Sequence, residues 1–122
     1  MDYSPHHYQS LDLRTLRLAN KLRNREYTEN NTIHIPLTFR ATELAGEVGE
    51  ACNIVKKLAR EAMGMRGTRS SKAHLAEELA DVLICLDLLA MDLDIDLAQA
   101  TVDKFNRVSE ERGLKTHIEV ER

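Results

Sequence analysis

Hydrophobic residues recur along most of this chain at the three- and four-residue spacing that is typical of amphipathic helices. A serine or an aspartate precedes three of the four periodic segments, where its side chain can cap a helix. Gly113 follows the last segment, as expected at a helix end. The predicted helices cover about 10–24, 38–63, 71–91 and 96–112, with Ser10, Ser70 or Ser71, and Asp96 as caps.

These segments predict an all-α fold, a four-helix bundle in which consecutive helices are antiparallel. The 122 residues are expected to form one domain, with a core over about 10–112 and a tail over 113–122. Each helix has one apolar stripe for the core, except the third, which is apolar all round and should be buried on most sides. The predicted core stripes are Leu11, Leu18 and Leu22 in the first helix, Leu44, Val48, Ala51, Val55 and Leu58 in the second, and Leu97, Thr101, Phe105 and Val108 in the fourth.

Glutamates share one face of the second helix. At about 100° per residue, Glu43, Glu47 and Glu50 fall within roughly 60° of one another, and Ile54 extends their line. The apolar stripe is centred about 100° away, so these carboxylates should border the core. The alternative is an ordinary solvated acidic face, because acids three and four residues apart are common on helix surfaces.

Two further acids, Glu78 and Asp81, share a face of the apolar third helix. Burying an unpaired carboxylate is unfavourable, so such groups are protonated, paired with a cation or bound to a metal. If the two helices pack together, Glu47 and Glu50 can meet these acids in an all-oxygen site that suits a hard divalent ion such as Mg²⁺. A non-enzymatic helical interaction module, with solvated or salt-bridged acids, is the alternative.

Composition narrows the classes of function. A formal net charge of −3 gives no basic surface for nucleic acid. Cys52 and Cys85 fall inside helical patterns, which predicts reduced core thiols in a cytoplasmic protein. The longest apolar run, 82–91, is too short to span a bilayer and contains Asp87, so no membrane contact is expected. The basic residues of the first helix should form a solvated face, or one or two of them should hold a polyphosphate; they are Arg14, Arg17, Lys21, Arg23 and Arg25.

The two acidic pairs and their spacing resemble the ExxE…ExxD signature of the MazG-like, all-α nucleoside triphosphate pyrophosphohydrolases. The resemblance covers roughly residues 38–112. It implies subunits that assemble as a homodimer or a homotetramer, with a nucleotide site lined partly by a partner subunit. The apolar surface of the second and third helices predicts self-association independently. The matching segments are Glu47-Val-Gly-Glu50, then Glu78-Leu-Ala-Asp81 after 27 residues, and Lys104-Phe-Asn-Arg107.

The resemblance implies a Mg²⁺-dependent enzyme, with Mn²⁺ as an alternative ion, that cleaves a nucleoside or deoxynucleoside triphosphate to the monophosphate and pyrophosphate. Water would attack the α-phosphorus, oriented or deprotonated by Glu47 or Glu43. Some family members have a second glutamate just before the first motif acid, where this chain has Gly46, so Glu43 is a candidate to replace it. The implied metal ligands are Glu47, Glu50, Glu78 and Asp81.

Substrate-binding residues also follow from the resemblance. Lys104 and Arg107 are candidates to bind phosphate oxygens as cations. The region ahead of the acidic helix tends to contribute to the base pocket in this family, which indicates His34 and Phe39; a buried hydrophobic contact is the alternative for both. Nucleotide-pool house-cleaning is the family-level role, and the phosphoribosyl-ATP pyrophosphohydrolases, which have similar acids, are the alternative enzyme class.

Overall fold

The computed structural model describes residues 11–119, which form four α-helices joined by loops. No strand occurs within this described range. The all-α prediction is therefore confirmed, and each helix end lies within three residues of its predicted position. The helices are α1 (Leu13–Tyr27), α2 (Leu37–Ala62), α3 (Lys72–Asp92) and α4 (Leu97–Glu111).

Side-chain caps begin three of the four helices. Asp12, not the predicted Ser10, caps α1, because its carboxylate accepts a hydrogen bond of 2.7 Å from a backbone N–H in the first turn. Ser10 lies outside the described residues. Ser71 and Asp96 cap α3 and α4 as predicted. Gly113 follows α4 with a φ of 67°, the left-handed conformation that commonly ends a helix.

The central unit of the fold is the antiparallel pair α2 and α3. Near the start of α2, Arg40 Nε donates to Asp92 Oδ2 at the end of α3, at 2.9 Å. Near the end of α2, Glu61 Oε1 accepts a hydrogen bond of 2.7 Å from the backbone N–H of Ser70, just before α3. Both ends of the pair are thereby tied together. The buried apolar side chains of these two helices are Ala51, Ile54, Cys85 and Ala90.

The face that α2 turns toward α3 lies between the line of acids and the predicted apolar stripe, because Ala51 of that stripe is buried and Glu47 is half-buried. Ile54, which continues that line, is 3% exposed, whereas Val48 and Val55 are 42% and 51% exposed. The buried face is rotated by roughly 60° from the prediction toward the acids. The physical reason is Arg40, which lies between the acids and the predicted stripe and is held by polar side chains of both α1 and α3.

A buried ion pair joins α1 to α3. The Asp87 carboxylate is fully buried and accepts hydrogen bonds from Arg17 Nε at 3.1 Å and Asn20 Nδ2 at 3.0 Å. Arg17 Nη2 also donates to the backbone carbonyl of Ile95 at 2.7 Å, which ties in the loop between α3 and α4. The prediction of a solvated face is therefore wrong for Arg17. Burial of both partners makes their geometry important for stability.

The orientation imposed by these polar contacts leaves several predicted core residues exposed. In α1, the face with Leu16 and Asn20 turns inward, so the predicted stripe of leucines is wrong. The prediction that α3 is buried on most sides is also wrong for the single chain, since one of its apolar faces is open. Within α4, Ser109 is buried while Thr101 and Phe105 are exposed. The exposed apolar residues concerned are Leu11, Leu18, Leu22, Leu79, Leu83, Leu86 and Phe105.

The part of the tail that is described folds back on α4. Asn106 exchanges two hydrogen bonds with the backbone of Ile118, of 2.7 Å to its N–H and 3.0 Å to its carbonyl.

The two cysteines differ in exposure. Cys52 is exposed, contrary to prediction, because it lies off the buried face of α2, while Cys85 is buried; both thiols are free. Among the described helices, none is long and apolar enough to cross a membrane.

We predict that Asp87→Ala lowers the free energy of unfolding by about 3–5 kcal/mol, because it leaves Arg17 without its buried partner. Urea unfolding at a fixed protein concentration measures the change. The control is Asp103→Ala, which removes an exposed acid of α4 and should change the free energy by less than about 0.5 kcal/mol. Equal effects of the two substitutions would contradict the proposed importance of the buried pair.

Candidate active site

Three carboxylates meet where α2 packs against α3. Glu47 and Glu50 lie one turn apart on α2, and Glu78 faces them from α3. One carboxylate oxygen of each residue lies within 4.8 Å of the other two. This three-acid cluster contains three of the four residues that the sequence predicted as metal ligands. The rotation of α2 toward its acidic side brings them into the contact between the helices.

The three-acid cluster contains buried oxygens for which the described residues supply no hydrogen-bond donor. Oε2 of Glu47 and Oε2 of Glu78 are buried, and neither has a hydrogen-bond partner among the described residues. Burial raises the pKa of Glu47, and the charges of Glu50, Asp81 and Glu78 raise it further. Buried carboxylate oxygens without donors are unfavourable unless a proton, such as one shared between Glu47 and Glu78, or a cation binds them. The all-oxygen donor set therefore fits a hard divalent ion.

Asp81, the fourth predicted ligand, lies beside the cluster. It is exposed, it lines the same cavity as Glu47, and its charge contributes to the raised pKa of that residue. Its carboxylate does not belong to the group whose oxygens lie within 4.8 Å of one another. The role of Asp81 as a metal ligand stays a prediction.

A cavity of about 500 Å³ opens next to the cluster, between α1, α2 and α3. Its acidic lining includes Glu43, Glu47 and Asp81, and its aromatic lining consists of Tyr27 and Phe39. Eight residues separate Phe39 from Glu47 on one helix, which corresponds to about 12 Å. The cavity therefore has carboxylates in one part of its wall and aromatic rings in another. The other lining residues are Asn20, Arg23, Asn24, Ile35, Arg40, Ile84, Cys85 and Leu88.

Glu43, the predicted alternative base, is held by a thiol. Cys85 Sγ donates to Glu43 Oε1 at 3.5 Å. Burial raises the pKa of Cys85 to about 12, assisted by the negative charges of Glu43, Glu47 and Asp81. The thiol is therefore protonated at neutral pH and acts as a hydrogen-bond donor, which orients the Glu43 carboxylate toward the cavity wall.

The two residues predicted to bind the base lie in neighbouring cavities. Phe39 is 51% exposed and lines the cavity with the acids. His34 is exposed and lines an adjoining cavity of about 400 Å³, which shares Asn24, Ile35 and Arg40 with the first. The alternative of a buried hydrophobic contact is therefore wrong for both. Their role in base binding stays a prediction.

The predicted phosphate-binding residues, Lys104 and Arg107, lie on α4. Both side chains are exposed, and Arg107 Nε is 3.7 Å from Glu111 Oε1 on the same helix. The described lining of the acidic cavity comes from α1, α2, α3 and the loop before α2, with no contribution from α4. The single chain does not bring these two cations to the acids.

The sequence reasoning missed most of the contribution of α1 to the cavity. Asn20, Asn24 and Tyr27 recur at intervals of four and three residues, the spacing of one helix face. This polar and aromatic face of α1 is the sequence feature from which its contribution to the cavity could have been predicted. Arg23 also lines the cavity, so the suggestion that a basic residue of this helix meets a polyphosphate fits one residue of the five.

The all-α fold and its acidic helix pair define the class of protein. The model of the MazG nucleotide pyrophosphohydrolase domain matches residues 38–113, which include the three-acid cluster, Glu43 and Asp81. The match spans more than half of the chain, and the chain belongs to this family.

One phage protein is similar to this chain over about two thirds of the length of each. Gene 37 protein of Mycobacterium phage L5 is 34% identical over 80 residues, which cover 64% of this chain and 69% of the phage protein. No solved structure gives a significant match. The name of the phage protein specifies neither a fold nor a substrate.

We predict that Glu47→Gln stabilises the metal-free protein at neutral pH. The pKa of Glu47 is raised above 4.5 in the folded chain, so its ionised form opposes folding. The penalty is complete above the raised pKa and disappears as the pH falls through that pKa toward 4.5. Melting temperatures in a chelator, measured across this range, should show an advantage for the variant that shrinks toward acid pH.

The control for this experiment is Glu77→Gln, which neutralises an exposed acid next to the cluster residue Glu78. Its effect on the melting temperature should be smaller. A Glu47→Gln protein that is no more stable than the parent at neutral pH would contradict the electrostatic description of the cluster.

Proposed function

We propose that this chain is a Mg²⁺-dependent nucleoside triphosphate pyrophosphohydrolase, which converts a nucleoside or deoxynucleoside triphosphate to the monophosphate and pyrophosphate. The observation that carries the proposal is the three-acid cluster with its two unpartnered oxygens beside a cavity with aromatic walls. Membership of the family supports hydrolysis of a phosphoanhydride in a nucleotide. The metal is inferred from the site, and the triphosphate specificity is what the family resemblance implies.

The metal ligands in this proposal are Glu47, Glu50 and Glu78, with Asp81 as a further ligand from the cavity wall. When bound there, Mg²⁺ neutralises charge on the triphosphate and lowers the pKa of a water molecule. Mn²⁺ has similar ligand preferences and is expected to substitute. The buried carboxylate oxygens of Glu47 and Glu78 then gain the cationic partner that the protein itself does not provide.

Glu43 is the residue that we assign to the attacking water, because it lines the cavity but stands outside the three-acid cluster. Its carboxylate accepts the proton as the water oxygen forms a bond to the α-phosphorus. The bond from the α-phosphorus to the bridging oxygen breaks, and pyrophosphate leaves with the electron pair. Arg23, on the opposite wall from α2, is suited to bind the phosphate oxygens as a cation.

The aromatic part of the cavity suits the nucleoside. Exposed rings offer a face on which a base can stack, and Tyr27 and Phe39 are 73% and 51% exposed. His34 lines the adjoining cavity, and its ring nitrogens could hydrogen-bond the edge of a base stacked on these rings. We therefore assign base recognition to these three side chains.

Self-association completes the proposed enzyme as a homodimer or homotetramer. Exposed apolar residues on α2 and α3, such as Val55 and Leu79, would be covered by a second copy. Since α4 does not line the cavity within one chain, Lys104 and Arg107 are proposed to reach the phosphates of a nucleotide bound by the partner subunit.

The reaction can be tested with a panel of canonical and modified triphosphates in the presence of Mg²⁺. The parent protein should release pyrophosphate and the monophosphate. Glu50→Gln and Glu78→Gln should each lose at least about 100-fold in rate, more than is typical for residues that only support metal ligands. Glu77→Gln, the matched control on the exposed side of α3, should retain the parent rate.

Failure of the panel has defined consequences. If no triphosphate is cleaved, phosphoribosyl-ATP is the next substrate, since its pyrophosphohydrolases carry similar acids. If that compound also survives, the enzymatic proposal is wrong and a helical interaction module becomes the better description. If the parent is active and Glu50→Gln and Glu78→Gln stay active, the assignment of these residues as metal ligands is wrong.

If Lys104 on α4 of one subunit serves the site of the partner subunit, mixing two impaired variants should restore activity. Lys104→Gln and Glu50→Gln should each be impaired alone. After joint refolding, random pairing of subunits should restore about a quarter of the parent sites, because half of the dimers contain one intact site. Activity no greater than the sum of the separate variants would contradict the proposal that Lys104 serves the partner.

A further inference from the structure

A series of close polar contacts leads from the loop before α3 to the three-acid cluster. Ser70 Oγ lies 3.3 Å from His74 Nδ1. On the other side of the ring, His74 Nε2 lies 3.4 Å from Glu78 Oε1. The two residues on α3 are four apart, which places them on one face of the helix. The three side chains therefore form a continuous connection that ends on a proposed metal ligand.

The far end of this connection is anchored to α2. The backbone N–H of Ser70 donates to Glu61 Oε1 at 2.7 Å, so the hydroxyl that meets His74 is held at a defined position. With the Ser70 hydroxyl as the donor to Nδ1, the other ring nitrogen can carry its N–H on the side of Glu78 Oε1. Glu78 is thus oriented from a point outside the three-acid cluster.

The two oxygens of Glu78 have different environments. Oε1 is the atom that His74 holds, whereas Oε2 is buried and has no hydrogen-bond partner among the described residues. A carboxylate with one oxygen occupied by a donor presents the other to a cation in a fixed orientation. Such support of a metal ligand typically changes metal affinity by 10- to 100-fold.

We propose that Ser70 and His74 are positioning residues that fix the Glu78 carboxylate for metal binding. This inference rests on the proposed function only in requiring that the three-acid cluster binds a divalent ion. His74 does not touch the substrate in this account, and it acts through Glu78. Its removal should weaken metal binding while leaving the rate at saturating metal nearly unchanged.

The direct test is calorimetric titration of Mn²⁺ into the nucleotide-free protein. His74→Ala should weaken Mn²⁺ binding by about 10-fold or more, and Ser70→Ala by a smaller factor. His74→Gln, whose amide can donate to Glu78 in place of Nε2, should return the affinity to within about 3-fold of the parent. The rate of triphosphate cleavage at saturating Mn²⁺ should remain within about 3-fold of the parent in all three variants.

Ser71→Ala separates positioning from helix stability. Ser71 Oγ accepts a hydrogen bond from the backbone N–H of His74, so this substitution removes the α3 cap without removing a side chain of the connection. It should lower the melting temperature but preserve the Mn²⁺ affinity.

Each result has a separate meaning. Unchanged affinity in His74→Ala, or an equal loss in Ser71→Ala, would overturn the positioning role. Failure of the Gln variant to restore binding would also overturn it. If the parent protein itself does not bind Mn²⁺, the proposed metal site is wrong, and the positioning role is overturned with it.

Discussion

Repulsion among carboxylates between α2 and α3 is the constraint on which the rest of the structure depends. Glu47, Glu50 and Glu78 approach one another where the helices meet; Glu47 and Glu78 are half-buried, and one oxygen of each lacks a partner among the described residues. Such a cluster opposes folding, so the helix pair must be held by other contacts. The ion pair of Arg40 with Asp92 and the buried apolar groups around Ile54 supply that support. The protein thus maintains an arrangement that a bound cation would relieve.

Much of this organisation could be predicted from the sequence. The helices, two of the three side-chain caps and the convergence of Glu47, Glu50 and Glu78 follow from periodicity and from the spacing of acids, which are local properties of the chain. The rotation of each helix was not predictable in this way. It depends on contacts between distant residues, such as Arg17 with Asp87. These contacts stabilise the burial of polar helix faces that the apolar pattern predicts to be exposed to solvent.

The same long-range contacts explain why α1 contributes to the cavity. The buried bond from Asn20 to Asp87 turns one face of α1 toward α3. Arg23 and Tyr27 lie one and two turns further on and reach the space beside the acids. The leucines that were expected to fill the core are left on the open side of α1. A single polar anchor therefore accounts both for the composition of the cavity and for the apolar surface that remains for self-association.

The most direct test of this account is an anomalous-scattering map from a crystal soaked in Mn²⁺. It should show a peak within about 2–2.6 Å of carboxylate oxygens from both helices, Glu47 and Glu50 on one side and Glu78 on the other. The previously unpartnered oxygens should be among the atoms bound. A saturating soak that leaves these three carboxylates without a peak, or that places the ion elsewhere, would contradict the central claim that the helix pair is built to hold a metal.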